Sequence, residues 1–187
     1  YILSTSKGDF IVRKIAVMTQ KGGVGKTTTS VNLASCLALE KKRVLLIDSD
    51  PQAHATIHLG INPYKLESTL YNVLIQSKPV DEVVVDTEIP TLKVLPSHID
   101  LSAAEIELVT HIGRENVLRE ALGHIKEEYD YLIIDCPPSL SLLTINALNS
   151  VEEIIIPIQA EFFALEGTSK LMRTVDVVKS RLNPKLE

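Results

Sequence analysis

A chain of 187 residues is long enough for one domain that buries roughly 70% of its unfolded surface, and too short for two comfortable ones. Its residues are 45% hydrophobic but only 4% aromatic, with no tryptophan, so the core must be aliphatic, which favours layered α/β packing over a disulfide scaffold or a disordered chain. A formal net charge of −5 excludes a general attraction to nucleic acid or anionic lipid; any such contact needs a local patch.

In chain order, residues 1–12 carry Lys7, Gly8 and Asp9, lack a continuous apolar core, and read as an N-terminal extension rather than a signal peptide. Residues 14–18 show an apolar strand pattern, 28–40 an amphipathic helix pattern, and 44–48 a second strand after the basic cluster 41–43. Strand, glycine-rich loop, helix and strand in so short a span predict a right-handed βαβ unit with parallel strands. Residues 68–76 read as a short helix with Ser68 as its N-cap, and 92–95 as a strand stopped by Pro96. Helices are expected at 102–110 and 115–126 with Gly113 between them, then a strand over 131–135, a helix over 140–149, a strand over 153–158 and a last helix over 167–181, stopped by Asn183-Pro184.

The stretch TQKGGVGKTTT, residues 19–29, joins the first strand to the first helix. Small residues let the backbone wrap an anion, successive N–H groups point inward and the helix offers its positive end. Lys26 and Thr27 then supply a phosphate contact and a magnesium ligand. The usual pattern has glycine five positions before the Gly25-Lys26 pair; here Gln20 stands there, followed by an additional lysine, Lys21.

Two acidic stations follow. Asp48-Ser49-Asp50-Pro51-Gln52 comes directly after the second strand, where open α/β sheets hold their ligands, although Asp-Pro at a strand end is also ordinary turn chemistry. The apolar strand 131–134 ends in Asp135 and then Cys136-Pro137-Pro138, a position from which an acid holds magnesium through its water shell or starts a turn. Cys36 and Cys136 lack metal-ligand spacing and read as reduced thiols. His54, His58, His98, His111 and His124 read as surface or satisfied histidines. Apolar runs such as 44–47 and 154–156 are far shorter than the ~20 residues of a membrane span, so a cytoplasmic location is expected.

The strings KGGVGKTT with its early lysine, DSDPQA, YLIIDCPPS, VLPSHIDLSAAEIELV and FFALEGTSKL together resemble the ParA/Soj-type partition ATPases of the deviant Walker A class, from residue 14 onward. The first string alone is shared with Min-type division-site ATPases and nitrogenase iron proteins; the DPQ, LPSHIDL and FALEG passages narrow it to the partition branch. The resemblance implies a three-layer P-loop NTPase fold, a mostly parallel twisted sheet with helices on both faces, over residues 13–187. It also implies further C-terminal strands that this stretch does not contain, carrying adenine contacts and much of a basic DNA-binding surface.

It implies residue roles as well. The loop residues Lys21, Gly22, Gly23, Val24, Gly25, Lys26, Thr27 and Thr28 bind ATP or ADP. Lys26 contacts the β- and γ-phosphates, and Lys21 reaches the phosphates of a second subunit in an ATP-dependent homodimer. Asp50 positions or activates the attacking water, giving Lys21, Lys26 and Asp50 as the catalytic set. Thr27, Asp48 and Asp135 form the magnesium set. The implied activity is a slow, partner-stimulated, Mg-dependent ATPase serving chromosome or plasmid partitioning. Its implied partners are a ParB-like activator and, for the full-length dimer, nonspecific DNA, with nucleoid association and no membrane. The family usually continues DPQ with Gly-Asn where this chain has Ala53-His54; alanine tolerates positive φ less well, so a different closure of this switch is expected. The alternatives are a Min-type membrane-positioning ATPase, an iron-protein reductase, and a nucleotide-binding fragment without activity.

Overall fold

Strand β1 (Arg13–Val17) leads into helix α1 (Lys26–Leu39), which returns to β2 (Val44–Asp48). The computed structural model describes residues 12–126, 128–159 and 164–187, the side chains of 164–167 excepted. Residues 1–11 of the expected extension, and the residues FF of the FFALEG passage, lie outside the described residues, as do the side chains of the residues ALEG after them. After β2 come α2 (His54–His58), α3 (Leu70–Gln76), the short β3 (Val85–Asp86), β4 (Leu92–Leu95), α4 (Leu101–Glu107) and α5 (Val117–Gly123). The chain then runs through β5 (Tyr131–Asp135), α6 (Leu142–Ser150), β6 (Glu153–Ile155) and α7 (Ala164–Arg181).

The strands form one sheet in the order β3-β4-β2-β5-β1-β6, parallel throughout except for β3, which runs antiparallel to β4. β1 and β2 are therefore parallel but not adjacent, because β5 inserts between them. Continuous apolar strands belong in such a sheet, since each face needs its own cover. Alternation along the strands assigns the faces: Leu45, Ile47, Leu132 and Ile134 pack with Leu70, Leu101, Leu118, Leu143 and Leu171 from α3 to α7. Val44, Leu46, Val94 and Ile133 pack with Ala34, Ala38 and Ala55 from α1 and α2. The result is the expected three-layer arrangement.

Several boundaries move for local reasons. Helix α3 is capped by Thr69, not Ser68: Thr69 and Asn72 form a reciprocal capping box, while Ser68 receives Lys78 Nζ at 2.6 Å. Strand β6 stops at Ile155, two residues before Pro157, which has no N–H to donate to a ladder. Helix α4 tightens into a 3-10 turn over Leu108–Thr110. Glu187 donates to Glu152 O and accepts from Ile154 N, the two bonds of a parallel bridge beside β6. Among the described residues no helix is long and apolar enough to cross a membrane.

Candidate phosphate-binding site

The site follows from strand register. Val17 of β1 and Asp48 of β2 both lie opposite Asp135 of β5, so three strands end in one row. The glycine loop after β1, the Asp50 turn after β2 and the proline turn after β5 consequently meet at one edge of the sheet. Gly23 and Gly25 take φ of 76° and 90°, left-handed values that suit glycine and bring the loop round to the N-terminus of α1. Gly25 is that helix's N-cap and offers no side chain, so the first amides of α1 have no side-chain cap and remain available to an anion.

Lys26, 9% exposed, sits between two acids, its Nζ 3.7 Å from Asp50 Oδ2 and 3.8 Å from Asp135 Oδ1. Thr27 Oγ1 donates to Asp135 Oδ2 and Ser30 Oγ to Asp135 Oδ1, both at 2.8 Å. Burial pushes the Asp135 carboxyl above its ordinary value, and Lys26 with the two hydroxyls opposes that rise. Around these groups lies a cleft of about 430 Å³, lined by Lys21, Gly22, Gly23, Gly25, Lys26, Thr27, Thr28, Asp50, Gln52, His54 and Pro138. Uncapped amides, a buried ammonium and a hydroxyl beside a carboxylate are the donor set that a phosphate with its magnesium ion requires, so the residues present fit that group.

The expected site residues are brought together with differences. Val24 is in the loop but not on the cleft wall, and Lys21 lies at the mouth, donating to Gln159 Oε1 at 3.1 Å while Gln159 Nε2 donates to Gly23 O at 3.4 Å. Asp48, expected in the magnesium set, does not line the cleft. It is fully buried, with Oδ1 accepting from the Asp50 N–H at 3.2 Å and Oδ2 from the Thr56 N–H and Oγ1 at 2.8 and 2.7 Å. Three internal donors occupy its oxygens, so it braces the turn after β2. Burial pushes its carboxyl up to about 7, against the pull of those hydrogen bonds.

Four participants escaped the sequence reading. Ser30 was passed over as a helix residue, although it stands four after Lys26 and so on the same face. Thr56 has no local signal. Gln159 is brought in by β6, and His54, read as a surface or satisfied residue, lines the cleft. The cysteines are both free, Cys36 exposed on α1 and Cys136 buried, where burial holds its thiol well above the usual range.

A glycine loop between strand and helix, a lysine held between two strand-end acids and a mostly parallel three-layer sheet define a P-loop domain. A family model described as an AAA domain matches residues 12–187. The chain is 52% identical over 172 residues to the sporulation initiation inhibitor protein Soj of Bacillus subtilis, covering 92% of this chain and 68% of Soj. It is 50% identical over 175 residues to the chromosome partitioning protein ParA of Myxococcus xanthus, covering 94% of this chain and 62% of that protein. Among solved structures, the cobyrinic acid a,c-diamide synthase of Mycobacterium smegmatis with bound ADP and magnesium superposes with a TM-score of 0.90 at 40% identity, covering 94% of this chain and 71% of that one. The chain thus spans about two thirds of the length of these proteins. It belongs to the ParA/Soj-type P-loop ATPases.

Proposed function

We propose that this chain forms the nucleotide core of an ATP-driven dimerisation switch for chromosome or plasmid partitioning. The observation that carries the reading is Lys26 held between Asp50 and Asp135 at the head of an uncapped helix. The loop amides and Lys26 take the β- and γ-phosphates of ATP. Thr27 and Asp135 would hold a magnesium ion, which would neutralise charge on the phosphates. Asp50 orients a water whose oxygen attacks the γ-phosphorus as the bond to the ADP oxygen breaks. Such transfer needs positioning and charge neutralisation more than covalent help. Lys21, at the mouth of the cleft, adds its charge to the phosphates of a second copy, so that dimerisation and the ATP state are linked. Unassisted turnover is on the order of 10⁻² per second or less, by analogy with other P-loop switches lacking a partner.

The names and identities of the relatives support partitioning as the process served. In the intact protein the dimer binds DNA nonspecifically, in the cytoplasm and on the nucleoid, and a ParB-like protein stimulates hydrolysis and resets it. The test is Asp50→Ala, compared with the unsubstituted protein by calorimetry with ATP and magnesium and by ultracentrifugation. The variant is expected to bind ATP and accumulate as a dimer. Absence of magnesium-dependent ATP binding in the unsubstituted protein sinks the reading, and undiminished hydrolysis in the variant removes Asp50 from it.

A further inference from the structure

Thr56 lies on the buried side of α2, is fully inaccessible and does not line the phosphate cleft, yet the bond its hydroxyl donates leads through Asp48 back to Asp50. Its Oγ1 donates to Asp48 Oδ2 at 2.7 Å, its own N–H donates to the same oxygen at 2.8 Å, and Oγ1 accepts the Ser97 N–H at 3.0 Å. The other oxygen of Asp48 accepts the Asp50 N–H at 3.2 Å. Ser97 follows β4, the strand beside β2, so the chain of bonds runs from one strand end through a hydroxyl and a carboxylate to the backbone of the next turn.

We infer that Thr56 is a positioning residue for Asp50, holding the Asp48 carboxylate in the one orientation that fixes the Asp50 turn. A hydroxyl is required here because it must donate to Asp48 and accept from Ser97 at the same time, which a methyl group cannot do. The turn needs a clamp. Between Asp50 and Thr56 the chain passes through Ala53 in the left-handed region, at φ 54° and ψ 30°, a conformation an alanine does not hold by itself. On the Asp50 side chain, Oδ1 accepts the Gln52 N–H at 3.0 Å, and Oδ2 faces Lys26. Once Lys26 is drawn to a phosphate, that second restraint weakens, and the placement of the Asp50 carboxylate falls to the backbone clamp through Asp48 and Thr56.

The inference rests on Asp50 acting on the attacking water, as proposed above. Its test uses Thr56→Val and Thr56→Ser in the intact protein, beside the unsubstituted protein and Asp50→Ala. Turnover is measured at saturating ATP and magnesium, and affinity is measured with a non-hydrolysable ATP analogue. Thr56→Val is expected to lower turnover at least about tenfold while its analogue Kd stays within about threefold, and Thr56→Ser to restore turnover. Thr56→Ala gives the same reading if the valine variant does not fold. Unchanged turnover in Thr56→Val, or a parallel fall in turnover and analogue affinity, overturns the positioning role. Analogue binding without any turnover in the unsubstituted protein removes the hydrolytic reading of Asp50 and this inference with it. Normal turnover there, lost in Asp50→Ala and kept in Thr56→Val, overturns the role of Thr56 alone.

Discussion

Thr27 Oγ1 donates a 2.8 Å hydrogen bond to Asp135 Oδ2, joining the first turn of α1 to the end of β5 across 108 residues of sequence. A hydroxyl oxygen has lone pairs to give a cation while its proton stays on a carboxylate, so Thr27 would hold a magnesium ion without breaking this bond, and Asp135 would hold Thr27 in place for it. Thr27→Val is therefore expected to weaken ADP binding about 10–100-fold in the presence of magnesium and to leave magnesium-free binding, carried by the loop amides and Lys26, nearly unchanged. Calorimetric titration with and without the metal distinguishes the two; an equal loss in both means that the hydroxyl serves only the fold.

Ala53 occupies the left-handed region in the turn that carries Asp50, where the family resemblance has glycine. Replacing it with glycine relieves a steric penalty of about 1–2 kcal/mol and adds back about 0.4–1 kcal/mol of unfolded-state entropy. Ala53→Gly should raise unfolding stability by about 0.5–1 kcal/mol, measured by urea denaturation. A decrease would mean that the turn is not strained at this residue.

Buried Asp48 makes stability depend on pH. Its folded value, about 7, lies above the ordinary 3.8, so its contribution is fully present below the unfolded value and is lost as pH rises through about 7. Between pH 6 and pH 8 this one group should lower the stability of the unliganded protein by about 1.4 kcal/mol. Asp135 shifts in the same direction, so the comparison needed is between the unsubstituted protein and Asp48→Asn, by urea unfolding at both pH values. A slope of the same size in the variant would show that Asp48 remains ionised throughout.

Lys21 is held in its own subunit by Gln159, at 3.1 Å. The reach to a second copy proposed for it requires that bond to open. Lys21→Ala is expected to keep ATP affinity within about threefold, since the lysine adds little within one subunit, and to abolish the ATP-dependent dimer. Light scattering after size-exclusion chromatography, with a non-hydrolysable analogue, reads the result; a normal dimer in that variant refutes the reach.

Much of the fold was legible because its signals are local. The strands 44–48, 92–95 and 131–135 come out at the expected bounds, since each is a mostly apolar stretch closed by an acid or a proline. Helix ends drifted where one hydrogen bond chose between neighbours, as when Thr69 rather than Ser68 capped α3. The loop was readable for a similar reason: glycines at 23 and 25, a lysine and a threonine are the phosphate-binding chemistry, whatever surrounds them.

Sequence by itself determined that a phosphate cradle follows the first strand and that acids close the second and the fifth. Only the tertiary structure decided what those acids do. Asp48 and Asp50 are two residues apart and identical in chemistry, yet one faces the cleft beside Lys26 and the other is sealed beneath it. That division depends on Thr56 and Ser97, 41 residues apart, which meet because β4 lies against β2 in the sheet. A side chain's partners are set by which strands become neighbours, and the pairing of distant strands is fixed by the packing of both faces at once, not by any local run of residues.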